Sequence, residues 1–113
     1  MKESDWKLFS KLRDLAVERL YDRILVEAQK AITSEGKTSR ELVHETRDAL
    51  NAGIKEVRDV FDSVGFSRTH ARLYLMGICV RQLLTEEEVS GFSEELRAEA
   101  LRWLDPERDD FQG

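Results

Sequence analysis

The stretch LYLMGICV, residues 73–80, decides the fold because it is the most apolar run of the chain. It lies in a segment from Ser63 to Thr85 that has no acidic residue, in a chain that carries 23 of them. The segment is also locally cationic, with Arg68, Arg72 and Arg81. A segment of this kind is either the helix around which the rest of the protein packs or a surface that binds a partner. The sequence leaves both interpretations open.

Length and composition predict one small domain. With 113 residues the chain can form one hydrophobic core, which we place in residues 1–106, followed by a flexible tail at 107–113. A single cysteine, Cys79, rules out an internal disulfide bond and favours a reducing compartment, so we expect a cytoplasmic location. The polar start at Met1 is unlike a secretory signal, and no apolar stretch is long enough to span a membrane, so we expect no membrane partner.

The net charge of −5 is distributed unevenly. Counting lysine and arginine against aspartate and glutamate gives −1 for residues 1–62, +3 for residues 63–85 and −7 for residues 86–113. A protein that is acidic overall repels nucleic acid at long range, so binding to DNA or RNA would have to depend on the central segment alone. Composition therefore argues against a nucleic-acid partner.

The apolar residues recur with a helical period almost throughout, so the sequence predicts an all-α bundle of four to five helices. The first helix should begin at Ser4 or Asp5, two residue types that cap helix N-termini. It should run to about Ser34, where Gly36 can adopt the left-handed conformation that ends a helix.

The apolar stripe of this first helix changes direction. At about 100° per residue, one group of side chains shares a face and a second group continues on a face rotated by roughly 90°. One neighbouring helix cannot cover both faces unless the first helix bends, so we expect the N-terminal helix to contribute to a homodimer. The first group is Leu8, Phe9, Leu12, Leu15 and Ala16, and the second is Leu20, Ile24, Ala28 and Ala31.

Thr38 and Glu41 have the spacing of a capping box, which predicts the start of a second helix. Its apolar seam continues to Val64 and includes Gly53, where the absence of a side chain lets another helix approach closely. The third helix is predicted over about residues 67–84, with apolar side chains on every side, as is typical of a fully buried helix.

Two further helices complete the predicted bundle. Thr85 and Ser93 mark their starts, and the last helix should end before Pro106 because the residue before a proline avoids helical geometry. The predicted architecture is a long N-terminal helical hairpin packed on the central apolar helix.

Two spacings resemble functional motifs but have simpler explanations. Residues 31–38 match the relaxed pattern AxxxxGKT of a phosphate-binding loop, which needs a strand before it and a sheet behind it. Here a helix is predicted before the loop, and its glycine and threonine already serve as helix stop and helix cap. Glu41, His44 and Asp48 share one helical face at metal-ligand spacing, but that face lies opposite the apolar seam and should be solvated. We expect no cofactor and no metal.

Cys79 is the candidate nucleophile of the chain. A reactive cysteine needs a cationic neighbour or a helix N-terminus that favours the thiolate, whereas Cys79 lies deep in the apolar third helix. Neither His44 nor His70 belongs to a local serine, histidine and aspartate grouping. We therefore expect no enzyme activity.

Residues 57–75 follow the spacing of a helix-turn-helix, in which Gly65 would occupy the turn and basic residues would open the second helix. Against this interpretation, Phe61 stands where the two helices would cross and usually need a small side chain. A helix that is apolar all round also cannot lie in a DNA groove along its whole length. The candidate nucleic-acid contacts are Arg68, Thr69, His70 and Arg72.

The sequence therefore predicts a non-catalytic helical protein that acts as a protein-protein interaction or regulatory module and self-associates through its N-terminal helix. The alternative is a DNA-binding regulator that uses residues 57–75. The two hypotheses differ in one structural consequence: a DNA-binding protein exposes a large basic patch around Arg68 and Arg72, whereas a bundle core pairs these arginines with glutamates.

Overall fold

The structure, a computed structural model, describes residues 1–62 and 67–107. Within these ranges the protein contains five α-helices and no strand, which confirms the predicted all-α bundle. A π-helical turn, Arg58–Asp62, continues α2, and a 3-10 turn, Arg68–His70, precedes α3. The predicted helix break at Gly65 and the tail from residue 108 onward lie outside the described residues. The helices are α1 (Glu3–Ile32), α2 (Ser39–Val57), α3 (Ala71–Val80), α4 (Glu86–Val89) and α5 (Glu94–Leu104).

The helices α1 and α2 form an antiparallel hairpin joined by a short loop. Gly36 in this loop has the predicted left-handed conformation, with a φ of 75°, but α1 already ends at Ile32, so Gly36 shapes the loop and does not stop the helix. Thr38 forms the predicted capping box with Glu41. The two helices approach closely at Gly53, where a Cβ atom would lie only 2.4 Å from the side chain of Ile24. The predicted role of this glycine is therefore confirmed.

The core surrounds α3, which packs against α1, α5 and the π-helical turn. Leu75, Ile78 and Cys79 on α3 and Leu83 just beyond it are at most 1% exposed. Half of the apolar run quoted at the outset therefore belongs to the core, whereas Leu73 and Val80 are each 51% exposed, so the prediction that this helix is buried on every side is wrong. The main body of α2 packs chiefly on α1 rather than on α3, so only the base of the hairpin lies over the central helix.

The central helix is shorter than the predicted 67–84 because of the way its C-terminus closes. Gln82 adopts a left-handed conformation with a φ of 56°. Its N–H donates to the carbonyl of Cys79, and the N–H of Leu83 donates to the carbonyl of Ile78. This pair of bonds is a Schellman motif, which ends a helix and turns the chain away from its axis.

The buried stripe of α1 winds gradually and does not change direction abruptly. Its apolar members recur at steps of three and four residues, and each four-residue step rotates the stripe by about 40°. The stripe thus passes smoothly from the side of α1 that contacts α3 to the side that contacts α2. Leu15, which the sequence assigns to the first group, is exposed. The buried apolar residues are Phe9, Leu12, Ala16, Leu20 and Ile24.

The prediction that Ser4 or Asp5 caps the start of α1 is wrong. The helix begins at Glu3, and its N-cap, Lys2, makes no side-chain capping bond. Asp5 is instead buried, and its carboxylate accepts hydrogen bonds from the backbone and side chain of Ser93 before α5. The sequence identified a capping residue correctly but assigned it to the wrong helix.

The far half of the hairpin extends beyond the core. The molecule measures 53 × 33 × 19 Å and has a radius of gyration of 17.1 Å. A compact domain of this length has a radius of gyration of about 13 Å. The excess length comes from α1, whose 30 residues span about 45 Å.

Candidate interaction surface

The far half of the hairpin exposes large apolar side chains on both of its helices. We call this set the hairpin face, and its members are 36 to 67% exposed. The hairpin face consists of Tyr21, Leu25 and Ile32 on α1 and Val43, Leu50 and Ile54 on α2.

Helical geometry places these six side chains on one side of the hairpin. The three residues on α1 are separated by four and seven positions, and the three on α2 by seven and four, so each set lies along one flank of its helix. Antiparallel helices present corresponding flanks to the same side. The structure confirms this for four members, because Ile32 lines a common groove with Val43, Leu50 and Ile54.

The apolar side chains of α2 are exposed because only a narrow side of this helix contacts α1. Thr46, Ala49 and Gly53 face α1 and are only half-buried, and Val57 is the one fully buried residue among the 19 of this helix. Small side chains bring the two helices together but leave the larger apolar side chains beside them without a neighbour. Thr46 also lines the groove, and its hydroxyl is buried without a hydrogen-bond partner.

The opposite side of the hairpin is charged. Lys30 pairs with Glu27 at 3.2 Å. Arg23 donates to the carbonyl oxygens of Arg81 and Gln82, both at 2.6 Å, and so satisfies the exposed end of α3. This side is not charged throughout, because Val26, 53% exposed, lines a groove there with Ile24 and Ala52. The hairpin thus has one side of mixed polarity turned toward the end of α3 and one mostly apolar side turned away from it.

The two long edges of the hairpin face differ in charge. Helical register places Glu18 on its α1 edge, Asp14 in line with Ile32 on the same flank of α1, and Arg40, Arg47 and Arg58 on its α2 edge. All five side chains are exposed. The face thus has an apolar centre, an acidic edge and a basic edge.

The two arginines of the DNA-binding alternative are engaged with acidic residues. Arg68 forms an ion pair with Glu3, and its guanidinium lies 5.9 Å from the centre of the Trp6 ring. Arg72 forms an ion pair with Glu99, with Nε and Oε2 3.2 Å apart. This pairing is the structural consequence expected of a bundle core.

The other two candidate contacts lie beside these arginines. Thr69 and His70 are both exposed on the 3-10 turn. His70 Nδ1 lies 3.1 Å from the hydroxyl of Ser67, a contact within the turn itself. The structure therefore brings all four predicted residues together at the start of α3, next to the glutamates that pair with two of them.

Cys79 lies in an apolar environment that keeps it protonated. It is completely buried, and burial raises the pKa of its thiol to about 12. A thiol with this pKa is a poor nucleophile at neutral pH. Its position agrees with the predicted role of a small core residue.

The remaining sequence motifs lie on solvated surfaces. Glu41, His44 and Asp48 are exposed along α2, as predicted, and within the described residues no three His, Cys, Asp or Glu side chains form a metal-binding group. Lys37 of the phosphate-loop pattern pairs with Glu45 at 2.6 Å, and α1 rather than a strand precedes it. The context that a phosphate-binding loop requires is absent around this segment.

An ion pair that the sequence does not reveal ties α4 to α1. Arg19 donates two hydrogen bonds to the carboxylate of Glu88, at 2.6 and 2.8 Å, and a third to the carbonyl of Leu83. These bonds raise the pKa of Arg19 and hold the pKa of Glu88 below its usual value. The geometry is that of a bidentate structural contact.

The hairpin face is the functional feature that sequence reasoning placed incompletely. The sequence indicated surplus apolar surface on the first helix along the stripe that includes Leu20 and Ile24, but both are buried, and the exposed apolar side chains lie at other positions of α1 and on α2. The sequence does contain a signal for this surface: the apolar residues of α2 occupy a wider part of its circumference than one neighbouring helix can contact. Val43, Leu50 and Ile54 lie to one side of the positions that contact α1, so one neighbouring helix cannot cover them.

Comparisons of the chain with protein-family models, with curated proteins and with solved structures found no match in any of the three. Within the described residues, every helix is too short or too polar to cross a lipid bilayer.

Proposed function

We propose that this chain is a non-catalytic protein-interaction module that binds a partner protein through the hairpin face. One observation carries the proposal: six large apolar side chains are exposed on the two helices that extend beyond the core, and four of them line one groove. Scattered apolar residues are normal on a protein surface, but a contiguous patch with charged edges is typical of a binding site.

The energetics of the hairpin support this proposal. Fully burying one leucine or isoleucine side chain stabilises by about 1.5 to 3 kcal/mol, so covering several half-exposed ones provides a substantial driving force for association. The two helices also present a preformed surface, and a partner does not have to order it on binding. A rigid amphipathic hairpin is therefore suited to helix-mediated recognition.

The non-catalytic part of the proposal rests on the chemistry of the candidate residues. Cys79 is a buried thiol with a raised pKa. The side chains of Glu41 and His44 are solvated on α2. The proposal includes a reducing, cytoplasmic setting, in which a single buried thiol stays reduced.

A matched pair of double variants tests the proposal. Leu25→Gln with Leu50→Gln makes the hairpin face polar, whereas Leu73→Gln with Val80→Gln makes the same chemical change at two α3 residues, both 51% exposed, away from it. We expect a native partner, captured from lysate on immobilised protein and identified by mass spectrometry, to be lost only from the first variant. Circular dichroism would establish that both variants fold.

Two outcomes would contradict the proposal. Capture of the same proteins by both double variants would show that the hairpin face binds nothing. Tight binding to duplex DNA, lost in Arg68→Ala with Arg72→Ala while the melting temperature stays unchanged, would support the DNA-binding alternative instead.

A further inference from the structure

We propose that the partner is a second copy of this chain. Two hairpins pack face to face, with their loops at the same end, into a four-helix bundle whose two-fold axis runs parallel to the helices. This inference rests on the proposed function, because it requires the hairpin face to be a binding surface. It adds the identity of the partner and the orientation in which it binds.

The charges along the hairpin face carry the inference. A two-fold axis parallel to the helices places α1 of one protomer over α2 of the other. The acidic edge of each copy then meets the basic edge of its partner, twice in every dimer. A surface with one edge of each sign is complementary to itself in this orientation.

The charged residues also match in height along the bundle. At 1.5 Å per residue, Asp14 lies about 28 Å from the hairpin loop and Arg58 about 30 Å from it. Glu18, at about 22 Å, lies between the levels of Arg47 and Arg58. With the loops at the same end, Asp14 of one copy therefore stands at about the level of Arg58 of the other, and Glu18 stands about 8 Å from the levels of Arg47 and Arg58.

The other face-to-face orientation brings like charges together. A two-fold axis across the helices would place α1 over α1 and α2 over α2. With residues 40–58 of the two copies overlaid, Arg47 would then lie near Arg47 of the other copy and Arg58 near Arg40, which disfavours that arrangement. The charges thus select one orientation of the two.

Within the described residues, the end of α3 does not obstruct this contact. Arg23, which binds the end of α3, and Leu25 of the hairpin face are two positions apart, so they point about 160° away from each other around α1. The end of α3 therefore lies on the side of the hairpin away from the face, leaving room for a second hairpin.

The area of the surface predicts a reversible dimer. Residues 40–58 span about 27 Å of helix, and two helices about 10 Å apart present a face about 20 Å wide. Each protomer would cover about 500 Å², or about 1,000 Å² in total, at the lower limit for a specific interface. We therefore expect dimers to form at micromolar concentration.

Sedimentation at low and high micromolar concentration tests the inference. The wild-type chain and the Leu73→Gln with Val80→Gln control should both show concentration-dependent dimers. The Leu25→Gln with Leu50→Gln variant should remain monomeric. A dimer that persists equally in this variant would overturn the inference.

Charge reversal tests the orientation. One variant carries Asp14→Lys with Glu18→Lys, and the other carries Arg47→Glu with Arg58→Glu. In a dimer of either variant alone, the two edge-to-edge contacts bring like charges together. Each variant should therefore raise the dimer dissociation constant by about tenfold or more. An equimolar mixture should dimerise again, because every contact between the two variants is attractive. Variants that each dimerise as well as the wild type would overturn the proposed orientation.

A strictly monomeric wild type at high micromolar concentration would refute self-association. If lysate capture through the hairpin face still occurs, the proposed function stands with a different protein as partner. If capture is also independent of the face, the proposed function fails together with this inference.

Discussion

The carboxylate of Asp5, near the start of α1, binds Ser93 immediately before α5. The Ser93 N–H donates to Oδ1 at 2.8 Å, and the Ser93 hydroxyl donates to Oδ2 at 2.6 Å. Asp5 is only 3% exposed, and 88 positions separate the two residues. A carboxylate at this place also interacts favourably with the positive end of the α5 dipole. The pair thus joins the first and last helices of the described fold.

We expect Asp5→Ala to lower the free energy of unfolding by about 2 to 4 kcal/mol, because it leaves a buried N–H and a hydroxyl without their acceptor. Ser4→Ala is the matched control, since Ser4 is the exposed neighbour that the sequence favours equally as a cap. Its effect should stay within about 0.5 kcal/mol. Urea denaturation of both variants measures the difference, and equal effects would show that the Asp5 contact is not stabilising.

Two glycines provide a second test, because alanine should have opposite effects at them. At Gly53 the new Cβ would lie 2.4 Å from Ile24 Cγ1, so either the Ile24 side chain or the two helices must shift. We expect a net loss of about 1 to 3 kcal/mol there. At Gly77 the nearest atom, Arg81 Nη1, lies 3.8 Å away, so alanine should stabilise α3 by up to about 1 kcal/mol. Thermal melts should show Tm shifts of opposite sign, and shifts of the same sign would contradict this account.

Local signals in the sequence predicted local structure well. Thr38 and Thr85 open their helices with the predicted capping boxes, and Gly36 adopts the predicted left-handed conformation in the loop after α1, because each feature depends on residues within one turn of chain. Arg19 and Glu88 are 69 positions apart, so no local pattern in the sequence predicts their ion pair. Residue propensities predict that an aspartate lies near a helix N-terminus, but they do not identify the helix. Asp5 was therefore assigned to α1, the helix nearest in sequence.

The hairpin face shows the same limit for a surface. Periodicity identified the buried stripe of α1 and the seam of α2, because it depends only on spacing along each helix, but it did not identify the exposed flanks beside them. Whether a flank is covered depends on how many other elements remain to pack against it. The far half of the hairpin, including Leu25 and Val43, extends past α3 and α5. The sequence pattern alone does not show how far the hairpin extends beyond the other helices.

The Arg19 and Glu88 contact predicts a specific dependence of stability on pH. Hydrogen bonds from Arg19 lower the pKa of Glu88 in the folded protein. The resulting stabilisation is complete above the unfolded pKa of about 4.3 and is lost as the pH falls through the lower folded value. We expect Glu88→Gln to be less stable than wild type at neutral pH and to lose less stability on acidification.

Glu87→Gln is the control for this prediction, because Glu87 is an exposed neighbour on the same short helix. Glutamine at residue 88 also keeps an oxygen that can accept from the Thr85 N–H, so the capping box is preserved. Free energies of unfolding measured in urea between neutral and acidic pH compare the three proteins. Parallel curves for wild type and Glu88→Gln would rule out a contribution from this carboxylate.

The last prediction separates the helix cap from the phosphate-loop pattern. Thr38→Ala should lower the free energy of unfolding by about 1 kcal/mol, because the Thr38 hydroxyl accepts from the Glu41 N–H at 3.2 Å. Lys37→Ala should cost less than about 1 kcal/mol, because its ion pair with Glu45 is partly solvated. If this segment were a phosphate-binding loop, Lys37 would be essential for ligand binding, and its substitution would have the larger functional effect. Calorimetric titration with ATP and GTP distinguishes the two: we expect no saturable binding, and binding that disappears in Lys37→Ala would establish a nucleotide site.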